Sequence, residues 1–150
     1  MPYVTPAEAG AVVTAPDSVK YEELRIKTID TGYARPGAIV VRDTDDDHCK
    51  VAASGDAGLF GFIAKEPRLS TVTDFTTENW VRIGHGHGAI VALPFDHTAG
   101  GHAGVTKGDA LYVADHGKVG KAAGTDVTKI VGYAEETKLV DGLLRVRLAK

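Results

Sequence analysis

The chain has 150 residues, 20 of them acidic and 17 basic, for a formal charge of −3; that length is enough for one hydrophobic core without metals or disulfides. The charges are scattered, so no basic face is concentrated enough to hold a phosphate backbone, and a nucleic-acid partner is not expected. With one cysteine, Cys49, no internal disulfide can form, and no apolar run approaches the ~20 residues that span a bilayer. A soluble protein made in the cytoplasm, with no membrane partner, is expected.

Residues 1–20 carry prolines at 2, 6 and 16, which block both a continuous helix and a central strand. They read as an extended N-terminal arm ahead of a single β domain over 21–150. Thr5-Pro6-Ala7-Glu8 offers an N-cap and a first-turn proline, so Thr5–Val13 is one place for a short helix; Ser70–Asn79 is the other. Val12, Val13 and Val19 are apolar enough for the arm to add to a sheet edge, the alternative being a floppy terminus.

From Tyr21 onward, short β-branched and apolar runs alternate with Gly, Pro and Asp punctuation, the pattern of an all-β barrel or sandwich. The predicted strands are Leu24–Ile29, Ala38–Arg42, Cys49–Ala53, Leu59–Ala64, Trp80–Ile83, Ala89–Leu93, Ala110–Ala114, Ile130–Ala134 and Leu143–Leu148. In the last, Leu144, Val146 and Leu148 alternate with Leu143, Arg145 and Arg147. One face can therefore pack inward while both guanidinium groups reach solvent or an acidic neighbour.

Two stretches resemble each other. Gly37-Ala38-Ile39-Val40-Val41-Arg42-Asp43 matches Asp109-Ala110-Leu111-Tyr112-Val113-Ala114-Asp115, with Lys50-Val51 and Lys118-Val119 following. Leu59-Phe60-Gly61-Phe62 then matches Ile130-Val131-Gly132-Tyr133, and Glu66 and Glu135 follow in turn. A two-copy unit is too short for a solenoid but can close a pseudo-symmetric barrel or sandwich over a shared core. Gly61 and Gly132 mark a close backbone approach or a bulge.

Lys107-Gly108-Asp109-Ala110-Leu111-Tyr112-Val113, then Gly117-Lys118-Val119, Ile130-Val131-Gly132-Tyr133-Ala134 and Leu144-Arg145-Val146-Arg147-Leu148 resemble the capsid cement or head-decoration proteins of tailed viruses. Those proteins often begin this unit with a K-G-D-x-ϕ-Y segment, ϕ being apolar, and end it with an R-V-R-L type strand. The resemblance covers 104–150 and, through the repeat, 34–66 more loosely. It implies a structural virion protein on the outer capsid surface, commonly a homotrimer, that clamps adjacent major capsid protein subunits. It implies no cofactor and no catalytic residues; the carry-over is Gly108 and Asp109 as a turn into a strand, and Arg145 and Arg147 as outward charges. A virion tail module would carry the same features.

Gly84-His85-Gly86-His87-Gly88 puts two imidazoles at a spacing that shares one strand face, and His97 and His102 follow. These four are the candidates for a metal site, and a small metal-binding β-barrel enzyme is the rival reading. The flanking glycines, and the lack of a carboxylate at a diagnostic offset, weigh against it. Around a trimer axis the same imidazoles would make a pH-sensitive contact.

Asp43-Thr44-Asp45-Asp46-Asp47 alternates carboxylates, but His48 and Ser54 stand where a calcium loop needs Gly and Glu, so a solvated turn is expected. Cys49 has only His48 beside it, aimed at the opposite strand face. No serine sits in a nucleophile elbow, and Thr98–Gly104 lacks the Lys of a phosphate-binding loop. Phe75, Trp80 and Phe95 are expected to complete the core rather than anchor a partner.

Overall fold

The computed structural model describes residues 9–14, 19–26, 35–42, 48–56, 59–64, 80–121 and 127–149. Among the described residues the chain is all-β, with three short 3-10 turns and no α-helix. No helix among them is long and apolar enough to cross a membrane. The strands are β1 (Val12–Thr14), β2 (Lys20–Ile26), β3 (Ile39–Arg42), β4 (His48–Val51), β5 (Leu59–Ile63), β6 (Trp80–His85), β7 (Ile90–Phe95), β8 (Ala110–Val113), β9 (Val119–Gly120), β10 (Gly132–Ala134) and β11 (Gly142–Leu148). Of the place for a short helix at Thr5–Val13, residues 5–8 lie outside the described residues and Val12 and Val13 are in β1, whose β-branched residues suit an extended backbone; Ser70–Asn79 lies outside the described residues.

The strands close two five-stranded barrels rather than a sandwich. In the first, β2-β4-β3-β5-β6 form a ring, antiparallel throughout except for the parallel pair β2–β4. In the second, β7-β11-β10-β8-β9 are joined antiparallel, and a parallel pairing of Phe95 with Val119 closes β9 onto β7. The two rings have the same connectivity five strands apart: β2 corresponds to β7, β3 to β8, β4 to β9, β5 to β10 and β6 to β11. Closure covers most strand edges that would otherwise invite further pairing, although β9 meets β7 at Phe95 alone and leaves the β7 edge near Ile90 and Val91 to β1.

The repeat read from sequence is thus real, but one part of its alignment shifts. Val40 stands opposite Gly61, and Leu111 stands opposite Gly132. Equivalence across β3 and β8 therefore pairs Val40 with Leu111, whereas the sequence match pairs Ile39 with Leu111. A one-residue slip exchanges the faces of a strand, and the register places Val40 inside the first barrel where Leu111 lies inside the second.

The first barrel is filled by Leu24, Ile26, Val40, Cys49, Ile63 and Val81, with their neighbours. Its alternate residues on β3 and β5, Ile39, Val41 and Phe62, turn outward into one continuous buried cluster with Val91, Leu93, Phe95, Leu144 and Val146. The first barrel is packed on the second through this apolar outer face. Gly117, at φ +73°, seats the β8–β9 turn against the first barrel: a Cβ there would lie 2.9 Å from Val51 Cγ1, and its N–H donates to the Ala52 carbonyl at 2.9 Å. β1 adds antiparallel to β7, so Val12–Thr14 join a sheet of their own chain, and Val19 is buried in the core cluster.

Candidate functional site

The four histidines are held in different settings. β6 ends at His85, whose Nε2 lies 3.5 Å from Glu22 Oε2; Glu22 also meets Arg42 at 3.4 Å, forming a charged rim at one end of the first barrel. His87 is exposed on the turn between β6 and β7, where Gly88 takes φ +86°. The Gly-His-Gly-His-Gly motif is therefore the connection between the barrels, and its glycines serve the turn and the close approach of Gly84 to the Phe62 ring. His97 follows β7, and His102 lies beyond the 3-10 turn Ala99–Gly101, near enough to Asp109 to act on its charge.

One group of potential metal ligands does form among the described residues: Asp96, His97 and Asp141, with one ligand atom from each lying within 4.8 Å of the others. His97 Nδ1 is 2.6 Å from Asp141 Oδ1, and the His97 backbone N–H donates to the same oxygen at 2.9 Å. These bonds hold the Asp141 carboxyl below its ordinary range, the His97 side chain being the largest cause. The register explains the meeting. β7 and β11 run antiparallel to the pair Phe95–Gly142, so the residues just past it, Asp96 and Asp141, come together. Sequence reasoning identified His97 but neither aspartate, because their proximity depends on a pairing 44 residues apart in the chain.

Where the two barrels meet, a groove of about 510 Å³ is lined by Ser54, Asp56, Asp96, Thr98, Tyr112 and Asp115, among others. Its polar groups are tied into turns: the Ala53 N–H donates to Asp56 at 2.9 Å, and the Thr98 hydroxyl donates to Asp96 at 2.8 Å. Cys49 is fully buried inside the first barrel, a core residue with no access for a substrate. Asp43–Asp47 and Phe75 lie outside the described residues.

Cross-strand pairs Tyr21–Gly84, Glu23–Arg82 and Arg25–Trp80 form a ladder on the outer face of the first barrel. The Arg25 guanidinium lies 4.8 Å from the centroid of the Trp80 ring, and that of Arg82 lies 5.7 Å from the Tyr21 ring. Trp80 is 39% exposed, so it is a surface residue and not the core residue expected; Phe95 is in the core. The expected turn into β8 is present: Gly108 takes φ +94°, and Asp109 Oδ2 accepts the Thr106 N–H at 2.9 Å. Arg147 is exposed and pairs with Glu135 at 2.5 Å. Arg145 reaches an acidic neighbour, Glu136, as expected, but does so buried rather than as an outward charge in solvent.

No family model and no curated protein matches the chain. Among solved structures it is similar to the N base of the head fiber protein gp8.5 of bacteriophage phi29, with a TM-score of 0.54 and 17% identity, over 87% of this chain and 94% of that one. At this identity the likeness establishes a shared fold.

Proposed function

We propose that the chain is a virion structural protein that decorates the outer capsid surface, binding across subunits of the major capsid protein as a homotrimer. The observation that carries this reading is the fold shared with a phage head fiber base over nearly the full length of both chains. The K-G-D segment that resembles cement proteins forms the turn into β8, and the R-V-R-L segment lies in β11 of the same barrel, which supports the same role. Two closed barrels locked through a common core make a rigid body. A rigid body that binds only the assembled lattice stabilises that lattice by mass action, and trimeric attachment multiplies weak contacts.

The partner surface we assign is the Tyr21, Arg25, Trp80 and Arg82 ladder, because exposed Trp, Tyr and Arg supply most binding energy at protein interfaces. Residues Val12–Thr14 are engaged by β7 of the same chain, so the grip on a neighbour falls to outer faces such as this one. We propose no catalytic role: an enzyme built on His85, His87, His97 and His102 needs these donors gathered, and His85 and His97 are engaged with separate carboxylates.

Cosedimentation of the purified protein with assembled shells and with unassembled major capsid subunits tests the proposal. Binding to shells, weakened by Trp80→Ala, is the expected result; absence of binding to shells overturns it.

A further inference from the structure

We propose that Asp96, His97 and Asp141 form a binding site for a divalent transition-metal ion, with zinc as the best-fitting member of the class. The inference is independent of the virion reading. One imidazole and two carboxylates are the donor types that zinc and manganese accept. Two ligands of one tetrahedral zinc stand roughly 3.4 Å apart, given bonds of about 2.1 Å. The donors here bracket that spacing, from 2.6 Å between His97 and Asp141 to within 4.8 Å for the group as a whole. The ion takes the place of the hydrogen bond between His97 and Asp141, as metals do when they displace protons from their ligands.

The scaffold holds the donors where they are needed. Asp96 uses Oδ1 to accept from the Thr98 N–H at 3.0 Å and its hydroxyl at 2.8 Å, and among the described residues no hydrogen bond reaches Oδ2. The Asp96 N–H donates to the Val119 carbonyl at 2.9 Å, and the His97 carbonyl accepts the Gly104 N–H at 2.7 Å. Val105 and Lys138 form a two-way backbone bridge at 2.9 and 3.0 Å that ties the β7–β8 loop to the β10–β11 turn carrying Asp141. A bound ion would clamp the same two segments. Three protein donors leave a fourth position for water.

The test is calorimetric titration of the full chain with zinc, paired with cobalt(II) titration followed by visible absorption. One ion per chain is expected, with affinity falling roughly tenfold or more in His97→Ala and in Asp141→Asn, and unchanged in His87→Ala. Asp141→Asn keeps an oxygen to accept the His97 N–H, so its fold is preserved, and retention of the wild-type thermal transition checks this. Absence of saturable binding, wild-type affinity in either ligand variant, or loss of binding in His87→Ala overturns the proposal.

Discussion

Gly61 and Gly132 occupy the same place in the two barrels. A Cβ on Gly61 would run into the carbonyl of Gly84 and stand 2.9 Å from Ile83 Cγ2; one on Gly132 would run into the carbonyl of Arg147 and stand 2.8 Å from Val146 Cγ1. Both glycines therefore let the penultimate and last strands of their barrel approach closely. Backbone carbonyls cannot swing aside, so Gly61→Ala and Gly132→Ala are each expected to destabilise by about 1–3 kcal/mol. Urea unfolding of the two variants checks this, with losses of similar size as the signature of the duplicated architecture.

Phe62 and Tyr133 follow those glycines on equivalent outward faces, yet Phe62 is fully buried and Tyr133 is 43% exposed. The first barrel uses this face to pack on the second, which leaves its own open. Phe62→Ala should cost about 3–5 kcal/mol through the cavity left between the barrels, against less than about 1 kcal/mol for Tyr133→Ala. Denaturant midpoints distinguish the two.

Arg145 is buried beside Glu136, whereas Arg42 and Glu22 meet at an exposed rim. Removing Glu136 takes away the charge-assisted hydrogen bonds it makes with the largely buried Arg145, so Glu136→Ala is expected to cost about 1.5–3 kcal/mol. Glu22→Ala should cost less than about 1 kcal/mol. Thermal unfolding at neutral pH measures both, and an equal effect would show that Arg145 finds solvent when its partner is lost.

The Thr106 backbone N–H, followed by Lys121, holds the Asp109 carboxyl below the ordinary aspartate value of 3.8, against the opposing pull of burial. A carboxyl that ionises more readily when folded adds stability above 3.8, and that stability disappears as the pH falls through its lower folded-state value. Asp109→Asn should therefore be less stable than the parent at pH 6, with the gap narrowing by pH 2.5. A gap that stays constant with pH would show that the turn depends on the shape of Asp109 and not on its charge.

Strands were legible wherever one face is buried and the other solvated, as in β11, and wherever Gly and Asp turns bound an apolar run. β9 escaped notice because two residues, Val119 and Gly120, carry no periodicity. The repeat was legible only across β3 to β5 and β8 to β10. Its first strands look unrelated because β2 exposes its outer face while β7 is buried almost throughout, so equivalent positions experience different solvents and carry different residues. The burial of Arg145 depends on Glu136, nine residues back along the chain and brought beside it by the β10–β11 pairing, and the exposure of Trp80 on which outer face of its barrel is left uncovered; no single strand encodes either. The Asp96–His97–Asp141 group depends on β7–β11 register and was out of reach for the same reason.

The most direct test of the virion role is electron cryomicroscopy of capsid shells assembled with and without the purified chain. The expected result is added density on the outer surface, spanning neighbouring major capsid subunits, into which the paired barrels fit with the Trp80 face toward the shell. Shells that show no added density when the chain is in excess would contradict the account.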